Sequence, residues 1–335
     1  MSKPNCQSKF LISFIILTAF LCTPLSAEES THQDLQRHQR QKLSSTETQR
    51  AADIYKQWIL YFQKGQYEQA ICVLNEALEI DPNSADAYYR RGFVYRQLGQ
   101  YDKAISDYSK AIEMNPRRPD AYFDRAVAYK DKGEYDSAIA DYTRASELRS
   151  GDPWNYISRG GVYYDKGEYD QAISDFTKAL GMKPPANYTY YARGLAYWRK
   201  GQYDQAISDL TVALGNPNII AETHYYRGLV YLDKGEYERA LSDLNRSLEL
   251  NPWNTATNFY KAYAYERTGH IREAIEAYKA FNQDLPSSMR ALIEHATRAE
   301  GNIYFIGLYR RFIPNLPSMI PLIEYATRRI TELEK

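Results

Sequence analysis

The chain has 335 residues, with 42 Lys plus Arg against 42 Asp plus Glu, so its formal net charge is zero. Phosphate recognition needs a basic face, and this balance argues against a nucleic-acid partner. A mean hydropathy of −0.62 excludes a polytopic membrane protein. Hydrophobic residues at 44% and charged residues at 25% are ordinary for a folded chain. Tyrosine is the outlier, at 32 residues, and asks for an architecture that uses it systematically.

At the start of the chain, Lys3 and Lys9 precede an apolar run from Phe10 to Cys22, followed by Thr23, Pro24, Leu25, Ser26, Ala27 and the pair Glu28 and Glu29. A basic start, a short apolar core and a small residue before a polar stretch describe a secretory signal segment, with cleavage placed after Ala27. The run is shorter than the roughly 20 apolar residues that span a bilayer. The alternative is an uncleaved anchor. A lipoprotein site at Cys22 is disfavoured because Leu21 stands where a small residue is needed. The reading implies export, with a bacterial periplasm the simplest compartment and no membrane span in the mature chain. Cleavage removes Cys6 and Cys22 and leaves Cys72 alone, which rules out an intramolecular disulfide and reads as a small buried hydrophobe. Residues 28–50 carry almost no apolar side chains and read as a flexible polar leader.

From there a period of 34 organises the sequence. Gly65-Gln-Tyr67-Glu-Gln-Ala70-Ile71 recurs from Gly99, Gly133, Gly167, Gly201 and Gly235, with a looser copy from Gly269. Seven repeats are framed as 51–84, 85–118, 119–152, 153–186, 187–220, 221–254 and 255–288. Self-similarity at such a period marks a solenoid. Each repeat reads as two helices. In 85–118, Tyr88, Phe93, Val94 and Tyr95 recur at helical spacing, Gly99 interrupts, and Tyr101, Ala104, Ile105, Tyr108, Ala111 and Ile112 mark a second face. Asn115-Pro116 then ends the second helix.

Small residues form columns. Gly92, Ala126, Gly160, Gly194, Gly228 and Ala262 share one place in the first helix, and Ala70, Ala104, Ala138, Ala172, Ala206, Ala240 and Ala274 one in the second. Helices approach closely only where neither carries a large side chain. A third column, from Ala77 through Ala213 to Ser247, lets the next repeat stack. Tyrosine ladders run from Tyr61 to Tyr265 and from Tyr67 to Tyr237, at core-packing places with the hydroxyl at the wet edge. Comparing the repeats also pairs Arg91, Arg125, Arg159, Arg193 and Arg227 with Asp107, Asp141, Asp175, Asp209 and Asp243, an expected bidentate contact inside each central repeat. Neither terminal repeat has both partners.

The repeat length, the helix–turn–helix reading and these columns resemble the tetratricopeptide repeat (TPR) family over roughly 51–288. The resemblance implies an all-α fold, a right-handed α-solenoid of antiparallel helix pairs. After it, residues 289–315 read as a shortened eighth repeat and 318–334 as a terminal capping helix. Leu292–Arg298 is echoed by Leu322–Arg328. Phe281 fills the stacking column of the seventh repeat, so the segment beyond it is expected not to dock like a standard repeat.

No catalytic constellation appears. The five histidines have no paired spacing, and no phosphate loop, nucleophile elbow or zinc motif is present. No catalytic residue, metal or cofactor is therefore assigned, and the chain is read as non-enzymatic. What remains is a surface. The family resemblance implies a concave groove lined by the first helices, and here it includes Tyr89, Phe93, Arg96, Phe123, Lys130, Trp154, Tyr164, Tyr188, Tyr191, Leu195, Trp198 and Tyr225. Trp154, Tyr164, Tyr188, Tyr191 and Trp198 concentrate opposite the small Gly161, a pocket suited to an extended peptide or a partner helix. Arg96 and Lys130 add a cationic end. The groove columns are aromatic where chaperone-tail-binding family members carry a carboxylate clamp, so that subtype is not expected. The expectation is a scaffold or adaptor for a protein or peptide partner in the cell envelope. The alternative is an auxiliary that binds cell-wall glycan or a small ligand through the aromatic cluster.

Overall fold

The turns are set by glycine. Gly133 has φ 85° and Gly235 φ 81°, a left-handed conformation that a Cβ disfavours. Each closes a first helix. The Gly133 N–H donates to the Lys130 carbonyl at 2.8 Å, and the Glu134 N–H to the Tyr129 carbonyl at 2.8 Å. Second helices end differently. Asn115, after Met114, leaves the helix at φ −135°, and Pro119 opens the next first helix, where its missing N–H costs nothing.

The computed structural model describes residue 50 and residues 53–182, 187–254, 256–283 and 316–334. Their regular structure is entirely helical, an all-α solenoid of antiparallel pairs. The expected signal segment, the polar leader up to residue 49 and the expected eighth repeat at 289–315 lie outside the described residues. The chain divides into two compact units, Met1–Ser150 and Gly151–Lys335. The first holds three hairpins: α1 (53–63) with α2 (Tyr67–Ile80), α3 (Ala85–Gln97) with α4 (Tyr101–Met114), and α5 (Pro119–Lys132) with α6 (Tyr135–Leu148). The second holds α7 (Pro153–Asp165) with α8 (Tyr169–Leu180), α9 (Asn187–Arg199) with α10 (Tyr203–Ala213), α11 (Ile220–Lys234) with α12 (Tyr237–Leu250), α13 (Ala256–Arg267) with α14 (Ile271–Gln283), and then α15 (Leu316–Leu333). Within each unit every second helix packs on the next first helix.

The small columns do what their size predicts. Tyr108, Tyr142, Phe176, Leu210, Leu244 and Tyr278 form the buried spine of the second helices. A Cβ added to Gly160 would stand 2.8 Å from the Phe176 ring, and one added to Gly228 would stand 2.9 Å from Leu244 Cγ. Ala77, Ala111, Ala145, Ala179 and Ala213 are all buried.

The five expected ion pairs are present. In each, arginine Nε and Nη2 donate to the two oxygens of one aspartate at 2.7–2.9 Å. The third donor was not anticipated. Nη1 of Arg91 reaches Asn75 at 2.7 Å, that of Arg125 reaches Ser109 at 2.9 Å, that of Arg193 reaches Thr177 at 3.0 Å, and that of Arg227 reaches Thr211 at 2.9 Å. Each acceptor belongs to the preceding hairpin, so one guanidinium ties a hairpin to itself and to its neighbour. Two rings flank it: Tyr88 and Tyr95 at Arg91, and Tyr190 and Tyr197 at Arg193. At Arg227, His224 replaces the first ring, and its Nδ1 lies 2.8 Å from Asp243 Oδ1. The seventh repeat has Lys261 opposite Ala277 instead, and burial pushes the Lys261 amine below its ordinary pKa.

Among the described residues, the next helix after the seventh repeat is α15. Helix α15 packs on α14, with Ala326 fully buried against Phe259, Tyr278 and Phe281. Phe281 is tolerated because the incoming residue is an alanine. In the same way Val230 of α11 packs against Tyr191, Leu210 and Ala213. Arg329 closes the contact by donating from Nη2 to Glu266 at 2.5 Å.

Adjacent glycines separate packing from propensity. An added Cβ on Gly161 meets nothing within 4 Å, so Gly161→Ala is expected to stabilise by up to about 1 kcal/mol through helix propensity. Gly160→Ala is expected to lose that gain to the Phe176 contact and to lower Tm; equal Tm shifts for the two would show that the seam is not tight. For the clamp, Asp209→Ala is expected to cost about 3 kcal/mol, because it strands the Arg193 guanidinium. Thr177→Val is expected to cost less than about 1 kcal/mol. A double-mutant cycle on Arg193 and Asp209 by urea unfolding is expected to show coupling above about 1 kcal/mol.

Candidate functional site

Within each compact unit, successive first helices approach one another more closely than successive second helices do. The first helices therefore line the inner side of each stack. Side chains on that side serve two purposes: some bridge to the next first helix, and some remain open.

In the first unit the inner side is closed by its own contacts. The Tyr89 hydroxyl donates to Asp124 at 2.5 Å, and the Arg118 guanidinium lies 3.9 Å over the Tyr89 ring. Burial lifts the Asp124 carboxyl above the ordinary aspartate range, partly offset by the Tyr89 hydroxyl. Asp86 accepts from Arg90 at 2.6 Å and from Arg118 at 3.1 Å. Phe93 packs 5.3 Å from Phe62, and Arg96 lies 5.4 Å over Phe93 and 4.0 Å from Asp131. Phe123 meets buried Tyr142 edge to face at 5.3 Å. Lys130 is half-buried. The expected cationic end is thus partly neutralised by Asp131.

In the second unit the inner side is aromatic. Asp152 caps α7 by accepting from the Trp154 N–H at 3.0 Å, with Pro153 at the first turn. This fixes Trp154 at the helix start, where it is 55% exposed. Tyr188 holds the matching place on α9 and is 46% exposed. Tyr191 needs a correction. It is only 6% exposed, because its place in the helix faces α11. Its ring meets Tyr188 and Tyr226, each at 5.9 Å, and its hydroxyl donates to Glu222 at 2.7 Å. Burial first, and that bond second, hold its phenol far above the ordinary pKa, so it remains a donor. Trp198 meets the same Tyr226 at 5.9 Å and donates its indole N–H to Asp233 at 2.7 Å. Leu195 packs against the cluster that holds Tyr191. Tyr164 is half-buried, 5.5 Å from Tyr169. Tyr225 continues the ring chain to Tyr226 at 5.1 Å and Tyr260 at 6.0 Å, and burial lifts its phenol well above the ordinary value.

Of the five clustered aromatics, then, only Trp154 and Tyr188 stand exposed. Sequence reasoning found the columns and missed Tyr226, Glu222 and Asp233. Their signal was chemical: a donor in one repeat matched by a carboxylate 31 or 35 residues later. Among the described residues no group of three or more His, Cys, Asp or Glu is placed to hold a metal ion, and no helix is long and apolar enough to cross a membrane.

Repeated helix pairs with an aromatic inner side define a class, the helical-repeat scaffold for protein–protein interaction. Family models described as TPR repeat or tetratricopeptide repeat match residues 60–97, 128–167 and 160–201, then 85–118 and 221–254, then 108–140, and then 188–215. Together they reach more than half of the chain, which belongs to the tetratricopeptide repeat family. Its fold is similar to the C-terminal part of a TPR repeat-containing protein from Cytophaga hutchinsonii, with a TM-score of 0.59 and 22% identity, covering 70% of this chain and 96% of that one. A tetratricopeptide repeat protein from Parabacteroides merdae ATCC 43184 gives a TM-score of 0.56 and 17% identity, covering 71% and 94%. MamA is similar at 27% identity with a TM-score of 0.47, covering 52% of this chain and 94% of that one. No curated protein matches the sequence.

Proposed function

We propose that the chain is a non-catalytic scaffold that captures an extended segment of a partner protein along the first helices of its second compact unit. Trp154 and Tyr188 are the anchors. The observation that carries this reading is their exposure, 55% and 46%, on a side where the other large aromatics are committed to bridges between helices. Large, stiff aromatic rings contribute most of the energy in small interfaces. Gly161 supports it, since the space above its Cα is open where Leu195 and Leu229 stand in later repeats. The signal-like start of the sequence favours a partner in an exported compartment, the cell envelope.

The test is crosslinking capture from the exported fraction. Because both rings are about half exposed, Trp154→Ala with Tyr188→Ala is expected to cost no more than about 2 kcal/mol and leave the chain folded while abolishing capture. Undiminished capture by the folded double variant would overturn the assignment. Retention on purified, protein-free cell wall, lost in the same variant, would replace it with glycan binding.

A further inference from the structure

We infer that the partner segment is cationic: a peptide that brings at least two Lys or Arg side chains to the two ends of α11. This rests on the peptide-capture reading above.

Two carboxylates call for those cations. Glu222 and Asp233 lie at opposite ends of α11, and both are exposed. Each is held by a neutral donor, the Tyr191 hydroxyl for Glu222 and the Trp198 indole N–H for Asp233, both at 2.7 Å. A neutral donor fixes a carboxylate in place and leaves its charge intact. Among the described residues neither carboxylate forms an ion pair. The cations nearby are committed elsewhere. Arg227 is clamped on Asp243, and Lys234 pairs with Asp204 at 2.7 Å and Glu236 at 2.5 Å. Arg199 and Arg267, which share the Asp233 column, turn toward the second helices and lie over Tyr169 and Tyr237.

The first compact unit shows what the same columns look like when satisfied internally. Asp86 and Asp120 stand in the Glu222 column. Asp86 pairs with Arg90 and Arg118, and Asp120 pairs with Arg149 at 2.9 Å. Asp131 stands in the Asp233 column and meets Arg96. Glu222 and Asp233 lack such guanidinium partners. They are eleven residues apart on one helix, about 16 Å, so one cation cannot serve both.

The test is selection of a random ten-residue display library on the full chain, followed by fluorescence anisotropy on the enriched peptides. Glu222→Gln with Asp233→Asn keeps both acceptors and removes both charges, and circular dichroism checks its fold. The expected result is enrichment of peptides with two or more Lys or Arg, whose affinity falls at least tenfold in the double variant and weakens as salt rises. Enriched peptides without basic residues, or affinity indifferent to the two substitutions, would overturn the cationic inference and leave peptide capture standing, provided Trp154→Ala still abolishes binding. No enrichment at all would overturn both.

Discussion

The solenoid depends on a guanidinium that closes three contacts at once. In each central repeat the Arg–Asp pair spans 16 residues and locks the two helices of a hairpin in register. At Arg91, Arg125, Arg193 and Arg227 the remaining nitrogen reaches back to the previous hairpin. Lysine could not do this, because an ammonium has one nitrogen and no planar fork. A buried ion pair adds little net stability over well-packed hydrophobes. Its use here is geometric: a slip of one residue would strand a charge in every central repeat. Part of the tyrosine content has the same origin, since two rings flank the guanidinium at Arg91, Arg125 and Arg193.

Where the clamp is absent, packing takes over. Lys261 and Ala277 cannot make it, and the seventh repeat instead gathers Phe259, Tyr278 and Phe281 around Ala326 of α15. That end is held by shape and by the Glu266–Arg329 pair.

Much of this was legible in the sequence, because a repeat prints each constraint several times. Gly160 alone says little; Gly92, Gly160, Gly194 and Gly228 in one column say that two helices touch. The Arg–Asp clamp was readable for the same reason. Its third bond was not, because Asn75, Ser109, Thr177 and Thr211 share a polar oxygen and no residue identity. The docking of α15 was not readable from Phe281 alone, since the size of one side chain says nothing about the alanine that will face it. In the groove, the columns were legible and the exposures were not. Tyr188 and Tyr191 lie three residues apart on one helix. One ends at the open rim and the other under α11, and only the neighbouring helix decides which.

The charged groups of the seam and of the groove are separate sets. The charges that hold the repeats in register sit between the helices, with aspartates less than a tenth exposed. Those on the inner side sit at the helix ends and take their positions from aromatic donors. Burial pushes the Tyr191 phenol well above its ordinary pKa, so it serves Glu222 as a donor. A neutral donor of this kind can hold an acid in place without cancelling it, whereas the Arg90 and Arg118 pair cancels Asp86. Trp198 and Arg96 share one column, so an indole at that place leaves Asp233 charged where a guanidinium meets Asp131.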